Sequence, residues 1–184
     1  MDRKPSAAGS FYSADEKILR DNLASLFARA VPKKIDRVRA IIVPHAGYVF
    51  SGTVAASGYK QIEKDAYFEN VFIIASSHHS AANLVSTYCS GNYLTPLGVS
   101  EVNTELTAKL VKETDFIRYL PEADAPEHSV EVQLPFLKYW LNASCKIVPF
   151  IICTWNVEVI NNFSKVLEPY FNEKNLFVIS SDFS

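Results

Sequence analysis

The chain has 184 residues and a mass of 20.6 kDa, with 48% apolar and 21% charged residues; this excludes a disordered tail, a collagen repeat and a highly charged coiled coil and fits one domain. A formal charge of −2 with pI near 6.1 excludes a basic nucleic-acid footprint, and at a mean hydropathy of +0.04 no apolar run approaches the ~18 residues of a membrane helix. Met1-Asp2-Arg3-Lys4-Pro5 lacks the apolar core of a secretory signal, and Cys89, Cys145 and Cys153 form no C-x-x-C pair, so the expectation is a reduced, cytoplasmic protein without disulfides.

Ser13-Ala14-Asp15-Glu16 has capping-box spacing and opens a predicted helix to about Ala30, with Leu19, Leu23, Leu26 and Phe27 on its core face. Arg39–Val43 reads as a buried strand stopped by Pro44, and an alanine-rich helix follows over Gly52–Ile62. Asn70–Ala75 is the next buried strand, completing a βαβ unit and hence a parallel pair. Val85–Tyr93 reads as an extended excursion, followed by a turn at Thr95-Pro96-Leu97-Gly98 and a short strand over Val99–Val102. Asn103 is placed to cap a helix carrying Leu106, Leu110 and Val111. A helix over Ser129–Leu141 should kink or start at Pro135. Lys146–Cys153 reads as a third buried strand, with Pro149 suggesting a bulge or an edge position. Asn156 caps a further helix to Leu167, and Leu176–Ile179 is a fourth strand. The alternation predicts an α/β fold: a single domain with a largely parallel sheet flanked by helices on both faces.

Three of the four buried strands run directly into polar, chemistry-bearing residues. The first leads into Pro44-His45-Ala46-Gly47-Tyr48, the second into Ser76-Ser77-His78-His79, the fourth into Ser180-Ser181-Asp182. Open parallel sheets bind ligands outside the carboxyl ends of their strands. His128, in Glu127-His128-Ser129 before a helix, can join that group. Imidazoles and a carboxylate in one cleft suit a divalent transition metal. His78 and His79 are neighbours that cannot both readily reach one ion, so one is expected behind the other. Asp182 is equally a turn cap or a site residue on spacing alone, whereas Cys153 reads as core. Phe11, Tyr48 and Phe50 are core or rim by default, those beside Gly9 and Gly47 being candidates to line a pocket. No G-x-G-x-x-G, P-loop, G-x-S-x-G or H-E-x-x-H is present.

Ala8-Gly9-Ser10-Phe11-Tyr12, Val43-Pro44-His45-Ala46-Gly47-Tyr48, Ser77-His78-His79, Thr95-Pro96-Leu97-Gly98, Glu127-His128-Ser129-Val130-Glu131, Leu134-Pro135-Phe136 and Ser180-Ser181-Asp182-Phe183-Ser184 together resemble the Memo family across nearly the whole chain. The resemblance implies a fold similar to class III extradiol dioxygenases and a metal held by His45 and His78. Iron is the first expectation, with copper or zinc as alternatives. It also implies Asp182 beside the metal and Glu127-His128 near the pocket. Asp182 and His128 are accordingly the catalytic candidates, and His79, Glu127, Tyr48, Phe11 and Phe50 are expected to line the pocket or back the ligands. The family pattern continues with a further histidine and a later anionic ligand that this sequence lacks, so residues 1–184 are expected to be a Memo-like domain without the family's C-terminal part. Two functions follow as expectations: a metal-dependent, dioxygenase-like oxidoreductase of unknown substrate, or a non-catalytic protein binding a metal, a small molecule or a peptide.

Overall fold

In the computed structural model, residues 1–141 and 145–182 are described; the final Phe183-Ser184 of the last motif lies outside them. In chain order the elements are α1 (Glu16–Arg29), β1 (Ala40–Val43), α2 (Tyr48–Tyr59), β2 (Asn70–Ser76), β3 (Leu84–Ser86), β4 (Tyr93–Thr95), β5 (Gly98–Ser100), α3 (Thr104–Glu113), β6 (Ile117–Arg118), α4 (Pro121–Asp124), α5 (Leu134–Trp140), β7 (Lys146–Cys153), α6 (Val157–Leu167) and β8 (Asn175–Ser180). One 3₁₀ turn, Glu131–Gln133, leads into α5, and another, Glu168–Tyr170, follows α6.

Six strands form one sheet in the order β1-β8-β2-β7-β3-β6, in which only the β7–β3 pairing is antiparallel. β4 and β5 make a separate hairpin whose turn is closed by Thr95 Oγ1, which donates to Gly98 O at 2.7 Å; Gly98, at φ +105°, takes a backbone conformation other residues rarely adopt. Alternate residues of each strand face opposite layers. Val71, Ile73 and Ala75 of β2 join the larger core with Leu19, Leu23 and Phe27 of α1, Ala55, Ala56 and Tyr59 of α2, and Leu134, Phe136 and Leu137 of α5. Phe72, Val148, Phe150 and Phe177 join the second core with Leu110 of α3 and Phe163 and Leu167 of α6. The sheet is therefore flanked on both faces, as the alternation predicted.

Local expectations are corrected at three points. The cap of α1 is Asp15, whose carboxylate accepts from Ile18 N–H at 2.9 Å, because it lies directly before the first helical residue while Ser13 sits two residues further out. α2 begins at Tyr48 rather than Gly52. Pro149 sits inside the sheet, between β2 and β3. The odd-numbered β7 residue Ile147 points its N–H away from β2, to Glu101 O, and the β3 ladder stops at Ile151, so the proline's missing donor interrupts neither neighbour. Among the described residues Cys89, Cys145 and Cys153 are free thiols, and no helix is long and apolar enough to cross a membrane.

Candidate metal centre

Strand register sets the site. Val43 of β1, Ser180 of β8 and Ala75 of β2 are paired at one level, so His45, Asp182 and His78 leave adjacent parallel strands at the same edge. The segment between α4 and α5 closes over that edge and supplies Glu127 and His128.

His45 is buried, with 2% of its surface exposed. Its Nδ1 lies 3.0 Å from Ser180 Oγ, and the surrounding bonds decide which atom holds the proton. Gln133 Nε2 donates to Pro44 O at 2.9 Å, which fixes the amide's orientation, and also to Ser180 Oγ at 2.8 Å. The single hydroxyl proton of Ser180 goes to Ser129 O at 2.6 Å. Ser180 can then only accept from His45, so Nδ1 carries the hydrogen and Nε2 keeps its lone pair.

His78 is fixed in the same tautomer by a different partner. Glu127, 1% exposed, accepts His78 N–H at 2.7 Å and His78 Nδ1–H at 2.9 Å, and also the N–H groups of His128 and Ser129. Burial alone would raise the Glu127 pKa, but these donors outweigh it and hold it at about 2. An ionised carboxylate only accepts, so His78 carries a hydrogen on Nδ1, and in the neutral ring its lone pair lies on Nε2.

His128 completes the group. Its ring stacks on His78 with centroids 4.7 Å apart and lies under Phe11 at 4.3 Å, and its Nδ1 is 3.5 Å from Glu127 Oε1. One ring nitrogen from each of His45, His78 and His128 lies within 4.8 Å of the others, a grouping able to hold a metal ion. Burial lowers the pKa of both His45 and His128, with Asp182 and Glu127 respectively pulling the other way, so both rings favour the neutral, ligating form at neutral pH.

The remaining candidates take distinct places. Asp182 Oδ1 accepts the N–H groups of His45 and Ala46, at 2.6 and 3.1 Å, and its Oδ2 is 3.7 Å from His45 Nε2, so it both caps the turn and faces the cluster. His79 is exposed, with its ring 6.4 Å from that of His78 and outside the trio. Tyr48 points into the core, donating its hydroxyl to Val132 O and packing against Tyr12 and Phe136. Phe50 is 86% exposed beside the His45 turn. Ser129, Gln133 and Ser180 were not singled out as site residues by the sequence. Ser129 and Ser180 stand inside motifs shared with the family, and Gln133 had as its signal only polarity within a stretch read as an apolar helix.

Fold and site together define a class: an α/β domain whose parallel sheet carries, at its carboxyl edge, three histidines that could hold a metal ion. The family model for Memo-like protein matches residues 3–184, and the chain belongs to that family. It is 33% identical to a MEMO1 family protein of Sulfurisphaera tokodaii, over 99% of this chain and 69% of that relative. It is 37% identical to one of Aquifex aeolicus, over 99% of this chain and 67% of the relative, and 34% identical to one of Sulfolobus acidocaldarius, over 98% and 68%. The chain thus spans about two thirds of the length of these relatives.

Proposed function

We propose that residues 1–184 form a Memo-like domain that binds a divalent transition metal through His45, His78 and His128, iron first and copper or zinc next. The observation that carries this reading is the hydrogen-bond network: it assigns the hydrogen of both His45 and His78 to Nδ1, so that in the neutral ring the Nε2 lone pair faces the cluster, the orientation an imidazole needs to ligate. A bound iron or copper would supply Lewis acidity and redox chemistry toward a substrate oxygen. Around it, Glu127 and Ser180 orient the first two rings, and Asp182 offers a carboxylate oxygen beside His45. His128, half-buried and favouring its neutral form, would complete the ligand set, or, where His45 and His78 alone hold the ion, could instead accept or return a proton at the pocket. A dioxygenase-like oxidoreductase is the finer form of this proposal; a binding protein without turnover is the alternative.

Titration of metal-free protein with cobalt(II), followed by calorimetry and by absorption in the visible, tests the binding. Wild type should bind, and His45→Ala and His78→Ala should each lose most of the affinity, while exposed His79→Ala stays within a few-fold of wild type. Unchanged binding in His45→Ala would place the ion elsewhere. Oxygen uptake with small catechols, with and without ferrous iron, separates turnover from binding.

A further inference from the structure

Arg3 lies far from the histidines in sequence yet is fastened to the segment that carries one of them. Its buried guanidinium donates through Nε to Asp124 Oδ1 at 3.0 Å, through Nη1 to Glu131 Oε2 at 2.8 Å, and through Nη2 to the main-chain oxygens of both Asp124 and Glu127. The ring of Tyr93 lies 4.8 Å beneath it. A guanidinium holds its donors in one rigid plane, so a fork that engages both carbonyls fixes their relative position.

Glu131 fastens the other side. It is fully buried and accepts from Ser6 N–H at 2.7 Å, Ser6 Oγ at 2.9 Å, Ala7 N–H at 2.8 Å and Tyr12 Oη at 2.7 Å. The N-terminal segment is thereby clamped along the 124–131 turn, and Phe11 within it is laid on the His128 ring. None of these bonds touches a histidine. All of them hold the backbone from which Glu127 reaches His78.

We infer that Arg3 and Glu131 form a positioning clamp for the histidine cluster: they fix the turn that aims the Glu127 carboxylate at His78 Nδ1 and seats His128 under Phe11. The consequence for metal affinity rests on the metal-binding reading above, but the orientation of His78 can be measured without metal.

Arg3→Lys is the discriminating variant, because it keeps the charge that Asp124 and Glu131 need and loses the planar fork. In metal-free wild type, nitrogen NMR of the imidazoles should show His78 in the single Nδ1–H tautomer. In Arg3→Lys, still melting cooperatively, a mixture with the Nε2–H form is expected, with cobalt(II) affinity down about 10- to 100-fold. Tyr12→Phe, which removes one bond to Glu131, should shift both in the same direction by less, and it carries the test if the lysine variant does not fold. A folded variant of either kind with the wild-type tautomer overturns the clamp. Wild type that fails to bind cobalt(II) overturns the metal reading instead and leaves the tautomer comparison decisive.

Discussion

Ser180 has one hydroxyl proton, and its destination decides how His45 presents its ring. Because Ser129 O takes that proton, His45 must donate from Nδ1, and Ser180→Ala would leave three polar groups facing a methyl. That variant should lose about 1–3 kcal/mol in chemical denaturation and about 10-fold or more in cobalt(II) affinity. Wild-type affinity would show that the serine does not set the tautomer. Glu127→Gln makes a parallel test: four donors converge on the carboxylate, and an amide must turn an N–H group toward at least one of them. A loss of about 1–3 kcal/mol is expected, together with a mixed His78 tautomer in nitrogen NMR; an unchanged midpoint would show that the buried charge is dispensable. At this scale the sequence was informative about His45, His78 and Asp182, because each closely follows an apolar run that reads as a buried strand, whereas His128 was placed only by its position before a helix. It named Ser180 only as a neighbour of Asp182, not as the partner of His45, and was silent on Gln133 and Arg3, because a hydrogen bond between residues 135 or 121 positions apart leaves no local pattern.

The helix α2 shows how an element can carry a constraint that propensity does not reveal. Gly52 and Gly58 are poor helix formers, yet the helix seats them against α1 and β1: a Cβ at Gly52 would lie 2.8 Å from Leu26 Cδ1, and one at Gly58 would lie 2.4 Å from Val43 Cγ1. Gly58→Ala should therefore destabilise, by about 1–3 kcal/mol of overpacking, although the same change in an exposed helix would add up to about 1 kcal/mol. Val43→Ala in the same chain should recover part of the loss, which a double-mutant cycle of thermal melts would measure; additive losses would rule out the contact. The start of α2 was misjudged for a related reason. Its first turns expose Val49 (93%), Phe50 (86%) and Val54 (62%), so the apolar period that marks a helix is blurred there. The parallel core strands and the helices capped by Asn103 and Asn156 were readable because their signals are local: continuous apolar runs, and a capping side chain one residue before each helix. The internal place of Pro149 was not, since it depends on which side of β7 its missing N–H falls.

The molecule as a whole concentrates buried ionisable groups on one short segment, and that makes acid the natural probe of its cohesion. His45 and His128 have pKa values lowered by burial, so the folded state binds fewer protons than the unfolded chain as pH falls below about 6.5, and stability begins to drain there. Glu127, held at about 2, contributes in full above its ordinary pKa near 4.5 and loses that contribution as pH falls toward 2; the amount is on the order of 3 kcal/mol. Glu131 has the same sign: burial pushes its pKa up, but Arg3, Ser6, Tyr12 and Ala7 together hold it below the usual value. Asp124 runs the other way, raised by burial against the pull of Arg3, and offsets part of the loss. The expected outcome is a two-stage fall in the urea midpoint, gentle from pH ~6.5 to ~5 and steep below ~4.5. Glu131→Gln should lower the midpoint at pH ~7 and flatten the steep stage, because the variant has one fewer carboxylate to protonate. A midpoint that stays level from pH ~7 to ~3.5, or a Glu131→Gln profile parallel to wild type, would mean that the turn between α4 and α5 is held by packing rather than by its buried charges.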